Sequence, residues 1–270
     1  MKKNLLLVLL CALVPGASIV RAQAPAASAP VPAPAAPSAS WTLTPAVASQ
    51  YMFRGTRLGG PSFEPTLEYS DGAAFTAGVW GNIPISDKVV GQSDPEFDFY
   101  ASYKIEAVKD TLTWQPGVTL YTYPNAKKAN GFYKATFEPN VALVYTVAGW
   151  TLTPKVYYDF VLKGPTLEVT AGYTIPLKEL GTELGFTGTA GTFKWDSFAP
   201  DQGADLKNYG NYWLLGVALP FQVTKESKII LGWAYTKGSD NYLKLGKTPK
   251  YENTAAVGRG VVTVSYAYSF

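Results

Sequence analysis

The side chains that could do chemistry in this chain are carboxylates, amines and guanidinium groups, because the sequence contains no histidine and a single cysteine, Cys11. Catalysis by Ser-His, Cys-His or Asp-His arrangements is therefore excluded, since the base is absent. Metal sites built on histidine are excluded for the same reason. Carboxylate-only catalysis remains open. We nevertheless expect no enzymatic activity, no cofactor and no metal site.

The charged side chains recur at every second position along extended segments. In residues 96–106, for example, Glu96, Asp98 and Glu106 alternate with apolar or small residues. A period of two places such charges on one face of a β-strand. This polar face carries Arg54, Glu64, Glu68, Asp98, Lys104, Glu106, Lys134, Glu138, Lys155, Asp159, Glu168, Glu183 and Lys194. Both signs are present, so the face fits a channel lining that selects by charge or a salt-bridged interior.

Arg54 stands out because it is predicted to end the first strand on the polar face, next to Gly55. One interpretation is a residue at the mouth of a channel that attracts anions. The other is a structural arginine paired with Glu64 or Glu68 on the next strand. We favour the structural interpretation.

The elements that must position these charges are β-strands. Tyr, Phe, Trp, Thr and Val dominate from Trp41 onward, and these residues suit strands. The alternating segments are about 10–13 residues long, whereas strands of soluble proteins are usually about 5–6. Twelve strands are predicted, near 42–54, 61–70, 73–82, 95–107, 111–123, 131–147, 150–162, 166–176, 182–194, 210–222, 227–237 and 258–270.

These strands predict an all-β fold, a transmembrane antiparallel up-and-down β-barrel of about 12 strands, with 10 or 14 as alternatives. A soluble β-sandwich also shows alternation. The barrel is favoured because apolar faces end in aromatic residues, as in the girdles of membrane barrels. These aromatic groups are Trp41 with Tyr51 and Phe53, Trp114 with Tyr121 and Tyr123, Trp213 with Phe221, and Trp233 with Tyr235.

The connections alternate in length, which orients the barrel. Tight turns are predicted at 71–72, 108–110, 148–149, 178–181 and 224–226. Long connections are predicted at 83–94, 124–130, 195–209 and 238–257. Long loops outside and short turns inside are typical of outer-membrane barrels, so both termini are predicted to lie in the periplasm.

The N-terminus predicts export. Residues 1–22 have a basic start, an apolar stretch of about ten residues and small residues before a cleavage site, as in a signal peptide. Residues 23–40 are rich in Ala and Pro and predict a periplasmic spacer, which leaves 41–270 as the barrel. Removing Lys2, Lys3 and Arg21 leaves 20 basic residues against 20 acidic ones. The mature chain is then formally neutral, which argues against nucleic-acid binding.

The C-terminus predicts recognition by an assembly machinery. In residues 261–270 the apolar positions alternate and end with Tyr266, Tyr268 and Phe270 on one face. A terminal Phe with aromatic residues at the two preceding positions of its face resembles the signal by which outer-membrane barrels are recognised for assembly. We expect the barrel assembly machinery and outer-membrane lipids to be partners, and leave the oligomeric state open.

Three short motifs resemble a known family. They are SQYMFRG at 49–55, FTAGVWGN at 75–82 and YTYP at 121–124. Together they resemble the TorF-type porin (Gcw_chp) family of bacterial outer-membrane proteins, clearly so over about 41–124. The resemblance implies an outer-membrane barrel with a pore role, and it implies no catalytic residues.

The predicted function is a porin-like channel in the cell outer membrane for passive diffusion of small hydrophilic solutes or ions. Barrels of about 8 strands are filled by side chains and those of about 16–18 hold open channels, so twelve strands predict a narrow or partly blocked pore. One alternative is a non-conducting structural or adhesive barrel with a salt-bridged interior. Another is a soluble periplasmic β-sandwich.

Overall fold

The structure is a computed structural model that describes residues 38–87, 94–126, 133–195, 206–247 and 249–270. The predicted signal peptide, most of the predicted spacer and the centre of the predicted loop 195–209 lie outside the described residues. None of the described residues forms a helix that is long and apolar enough to cross a membrane.

Nearly all regular structure in the described residues is β-strand, as the abundance of β-branched and aromatic residues predicts. A short 3-10 turn, Lys178–Leu180, is the exception. The strands are β1 Ser40–Thr44, β2 Ala46–Ala48, β3 Tyr51–Phe53, β4 Thr56–Gly59, β5 Ser62–Phe63, β6 Thr66–Ser70, β7 Phe75–Pro84, β8 Glu96–Tyr103, β9 Ile105–Val108, β10 Leu112–Thr122, β11 Ala135–Val147, β12 Trp150–Asp159, β13 Gly164–Leu177, β14 Thr182–Trp195, β15 Leu206–Gln222, β16 Ser227–Leu245, β17 Tyr251–Glu252 and β18 Arg259–Ser269.

The strands form a closed antiparallel barrel of 12 wall strands, which confirms the predicted fold class. Three wall strands are interrupted, so that β1 with β2, β5 with β6, and β8 with β9 each count as one. Closure occurs where β18 pairs with β16 on one side and with β1 and β2 on the other. The end of the barrel with the tight turns is called the turn end below, and the opposite end is the loop end.

The wall presents apolar side chains outward and polar side chains inward. On β18, Val262, Val264 and Tyr266 are exposed, whereas Thr263 and Ser265 between them are buried. Outward aromatic residues also pair across strands, as in Trp41 with Tyr69 and Trp150 with Tyr173, whose ring centroids are 5.1 and 4.8 Å apart. This arrangement inverts that of a soluble sandwich, whose apolar face is buried, so the soluble alternative is disfavoured.

Two predicted boundaries differ most from the structure. The predicted first strand, 42–54, ends in the wall at Ala48, after which the chain turns into the lumen. The predicted loop 238–257 is in part strand, because β16 continues to Leu245 and pairs with the start of β15 and with β17. The polar composition of 238–245 resembles a loop, but pairing with neighbouring strands overrides that local preference.

Candidate functional site in the barrel lumen

The first connection at the loop end folds into the lumen as a small hairpin. Within the described part of the chain, strands β3 and β4 pair only with each other, in a two-stranded sheet separate from the wall. Arg54 and Gly55 form the tip with φ of 47° and 73°, the combination that a tight two-residue hairpin turn requires. Tyr51, Met52 and Arg54 are 2%, 1% and 5% exposed. Residues Tyr51–Gly59 are called the lumenal hairpin below.

The lumenal hairpin reaches from one side of the barrel to the other. At its base, Met52 packs on Ala48 and on Val261 of β18. At its tip, Gly55 lies so close to β15 and β16 that a Cβ there would stand 2.5 Å from the backbone nitrogen of Gly238 and 2.8 Å from Cβ of Tyr212. Gly55 is therefore required both by its positive φ and by this close approach.

Arg54 fixes the tip to the wall through Glu138 of β11. Its Nη1 donates to Oε1 and its Nη2 to Oε2, each at 2.9 Å, and both side chains are buried. The guanidinium carbon also lies 4.7 Å from the ring centroid of Phe53 and 4.9 Å from that of Tyr157. Tyr121 donates a further hydrogen bond of 2.9 Å to Glu138 Oε2. A planar two-pronged pair of this kind fixes orientation as well as charge.

The prediction that Arg54 pairs with Glu64 or Glu68 is wrong. Glu64 accepts a 2.6 Å hydrogen bond from Ser62, and Glu68 accepts one of 2.7 Å from Tyr100. The physical reason is that Arg54 does not stand on the wall next to the second strand. The chain has already left the wall at Ala48, and in a closed barrel the sixth wall strand, which carries Glu138, lies far around from the first.

A second group of polar side chains lies beside the hairpin. Glu96 of β8 accepts a 2.7 Å hydrogen bond from the hydroxyl of Tyr51 and a 3.0 Å bond from that of Tyr123. Tyr51 also packs on Trp80, with ring centroids 5.7 Å apart. The hairpin is thus attached to this wall by one hydrogen bond and one aromatic contact.

A third group lies on β12, β13 and β15. Glu168 accepts hydrogen bonds from the hydroxyls of Tyr157, at 3.0 Å, and Tyr212. Lys155 is in register with Glu168 and its Nζ lies 4.6 Å from the Tyr157 ring centroid. Nearer the loop end, Asp159 accepts from Thr136 and from the backbone nitrogens of residues 161 and 162.

The structure brings together most of the charges predicted to line the lumen. Glu68 is half-buried, and the buried ones are Arg54, Glu64, Asp98, Glu138, Lys155, Asp159 and Glu168. The predicted residues Lys104, Glu106 and Lys134 are exposed and lie near the ends of wall strands. Glu106 there accepts from the backbone nitrogen of Asp110 in a turn.

Two further predictions concern β14 and β18. Lys194 does not belong to the inward face, because it is exposed while the adjacent Phe193 is buried among lumenal side chains. Glu183 is half-buried. The predicted assembly residues Tyr266, Tyr268 and Phe270 are exposed on the outer face of β18 and its end.

Sequence reasoning missed the tyrosines that hold the carboxylates. Tyr51 and Tyr121 are predicted as girdle residues but are buried in the lumen. For Tyr121 the alternation contains the correct signal, since it falls seven residues after the outward Trp114 and hence on the opposite face. For Tyr51 no such signal exists, because the strand that would define its face ends before it.

The arrangement is suited to holding a fixed polar surface inside the barrel. Carboxylates accept hydrogen bonds from tyrosine, serine and threonine hydroxyls, and the hairpin is fixed at its base, side and tip. Within the described ranges, no three acidic side chains converge in a way that could hold a metal ion. Such a surface can contact polar solutes through charge and hydrogen bonds.

Comparison with known proteins gives a family match and a fold. Residues 34–161, just under half of the chain, match the profile of a family described as "Bacterial protein of unknown function (Gcw_chp)". This description supports the Gcw_chp part of the predicted resemblance and contains no TorF-type designation. No curated protein matches the chain.

Among solved structures, the barrel is similar to "KdgM porin", with a TM-score of 0.53 and 13% sequence identity, covering 85% of this chain and 99% of that one. A second structure, "KdgM porin in complex with disordered oligogalacturonate", has a TM-score of 0.51 and 13% identity, covering 86% and 99%. Identity this low shows the fold alone. The chain thus has the barrel fold of outer-membrane porins, and its residues 34–161 match the Gcw_chp family.

Proposed function

We propose that the protein is an outer-membrane channel through which small hydrophilic solutes or ions diffuse passively. The observation that carries this proposal is a charged and hydrogen-bonded interior enclosed by an apolar outer surface, in a fold shared with porins. A barrel that served only as a membrane anchor would have no need for so many buried ionisable side chains, each of which costs free energy to desolvate.

We further propose that the lumenal hairpin is the constriction of this channel. It contacts the wall at Val261 of β18, at Trp80 of β7 and, across the barrel, at Glu138 of β11, so it crosses the lumen at the loop end. Solutes would pass beside the hairpin, and its side chains would set the pore size. This agrees with the narrow or partly blocked pore expected for twelve strands.

The proposal includes a location and partners. The charge and apolar pattern of residues 1–22 supports export, and the apolar outer face supports contact with outer-membrane lipids. The exposed aromatic face of β18 supports recognition by the barrel assembly machinery. By the same proposal the loop end faces the exterior and the turn end faces the periplasm. No catalytic role forms part of it.

The alternative is a non-conducting structural or adhesive barrel. One observation favours it, namely that Arg54, Glu138 and the surrounding tyrosines are so well connected that the hairpin could close the lumen completely. The two functions differ in whether the folded protein conducts ions.

The test uses the mature protein and a variant without the hairpin in planar lipid bilayers. Because Ala48 and Ser62 are cross-strand partners, replacing residues 49–61 by Asn-Gly joins them with a tight turn. We expect small conductance steps from the native protein. The variant should give steps that are several times larger, because the hairpin no longer narrows the lumen. Heat-modifiable gel migration verifies that both barrels are folded.

Each outcome of this test separates the two functions. Steps from the native protein support the channel. A folded native barrel that is silent, with a variant that conducts, supports a barrel closed by its hairpin. Silence from both folded proteins contradicts the channel altogether.

A further inference from the structure

The buried charges of the barrel are strongly unbalanced. Among the described residues, the buried acidic side chains are Glu64, Glu96, Asp98, Glu138, Asp159 and Glu168, and the buried basic ones are Arg54 and Lys155. Arg54 is engaged with Glu138. The chain as a whole has a formal net charge of +3, yet its buried ionisable groups are mostly acidic in the part that the structure describes.

The hydrogen bonds to these carboxylates come largely from neutral groups. Glu96 accepts from two tyrosine hydroxyls, Asp159 from a threonine hydroxyl and two backbone nitrogens, and the half-buried Glu68 from a tyrosine hydroxyl. A hydroxyl donor orients a carboxylate and stabilises its ionised form without cancelling its charge. These hydrogen bonds therefore bring no positive charge to the carboxylates.

An independent observation beside Glu96 indicates which kind of solute this part of the lumen contacts. Asn82 of β7 is the cross-strand partner of Glu96 and is 3% exposed. Its side-chain oxygen has no hydrogen-bond partner among the described residues. On the other side of β7, Phe63 is in register with Ile83, so Glu64 follows at the level of Asn82. A buried acceptor without a partner, placed between two carboxylates, lacks a donor or a cation.

We propose that the channel is selective for cations, and that Glu64, Asn82, Glu96 and Asp98 form the wall that selects them. These residues are called the acidic wall below. The inference rests on the proposed channel function and names the class of solute, namely alkali cations and small protonated amines. A negatively charged lumen with walls of low dielectric raises the local concentration of cations and repels anions. In this proposal the cation passes along the acidic wall.

The experiment measures the reversal potential of the native protein in planar bilayers under a KCl gradient. We expect potassium to permeate about threefold or more better than chloride. The variant Glu96→Gln with Asp98→Asn should bring the ratio close to one, because it replaces two carboxylates by neutral amides, while the amide oxygen introduced at position 96 can still accept from one of the two tyrosines. The matched control is Glu179→Gln, the same chemical change on an exposed residue of the 3-10 turn, which should leave the ratio unchanged.

A second variant keeps the proposal testable if the double variant does not fold. Asn82→Asp adds a carboxylate to the acidic wall and should raise the preference for potassium, an effect that a purely structural role would not produce. Heat-modifiable migration again verifies folding.

The failure of this inference is distinct from failure of the channel. Conductance with equal permeabilities, or with chloride preferred, overturns cation selectivity and leaves the channel function intact. If the native protein is silent, the reversal potential is measured on the variant with Asn-Gly in place of 49–61, which retains the acidic wall. Silence from both overturns the channel function and the selectivity together.

Discussion

Among single residues, Arg54 and Glu138 form the contact that fixes the tip of the lumenal hairpin to the wall. A buried ion pair contributes little relative to a well-packed apolar pair, but removal of one partner leaves an uncompensated buried charge, at a cost of about 3–5 kcal/mol. Because this pair joins the hairpin to the wall, its loss should weaken the attachment of the hairpin before it weakens the barrel.

Glu138→Gln should therefore loosen the hairpin while the barrel remains closed. We expect larger and more variable conductance steps, and faster cleavage of the hairpin by protease, with unchanged heat-modifiable migration. The control is Asp87→Asn, which breaks the exposed pair with Arg57, since exposed pairs contribute only about 0–1 kcal/mol. Equal behaviour of the two variants would contradict the role assigned to Arg54 and Glu138.

Gly55→Ala should weaken the attachment of the hairpin by steric means alone. Its Cβ would stand 2.5 Å from the Gly238 backbone, in addition to the cost of about 1–2 kcal/mol for a positive φ. Gly181→Ala is the matched control, because Gly181 also has a positive φ but its Cβ would meet nothing within 4 Å. Protease cleavage of the hairpin should increase in the first variant only; cleavage of both to the same extent would exclude the contact with Gly238.

At the scale of elements, the lumenal hairpin is a piece of strand-like sequence that does not join the wall. Its alternation of aromatic and polar residues continues that of β1 and β2, so local pattern predicts one strand through residue 54. What ends the strand is a set of distant partners: Glu138, Val261 and Gly238. No property of residues 49–55 alone identifies those partners.

The wall strands were predictable for the opposite reason. Their outward and inward faces differ in polarity at each step, and a shift by one residue would reverse every side chain. The inward face of β12 illustrates this, since Lys155, Tyr157 and Asp159 all lie where alternation predicts. The acidic wall was only partly predictable, because the patterns of the separate strands give no register between them and so do not place Asn82 beside Glu96.

A cross-link between the hairpin and the wall tests the position of the whole element. The backbone nitrogen of Arg57 donates to the carbonyl of Ala255 at 2.8 Å, so the two residues are in direct backbone contact, and a disulfide needs Cα atoms no more than about 7 Å apart. Arg57→Cys with Ala255→Cys should form a disulfide under oxidising conditions and leave the conductance steps unchanged, because the hairpin is already inside. Failure of the folded barrel to form the bond, or small steps that change on oxidation, would contradict the inward position.

At the scale of the whole molecule, the barrel distributes polarity in the reverse of a soluble domain. The outer belt is apolar and includes Leu231, Val264 and Trp233, whereas the interior carries the ionisable groups. The apolar outer belt is therefore favourable only when lipid surrounds it. In the interior, hydrogen bonds and ion pairs must satisfy the polar groups.

A charge placed on the outer belt should oppose insertion in proportion to its depth. Val264→Arg, on the middle of β18, should destabilise the folded barrel by about 2–4 kcal/mol. Val223→Arg, in an exposed position beside a turn, should cost about 0–1 kcal/mol. Denaturant titration of folding into lipid vesicles measures both; equal costs would contradict a membrane-embedded belt.

The base of the lumenal hairpin lies at the seam where the barrel closes. Met52 packs on Ala48 of the first wall strand and on Val261 of the last, residues that are separated by most of the chain. The pocket that receives Met52 is therefore incomplete until β18 has joined β1 and β2. It follows that the attachment at the base of the hairpin forms only when the last strand is in place, so that a hairpin fixed at Met52 reports that the seam has closed.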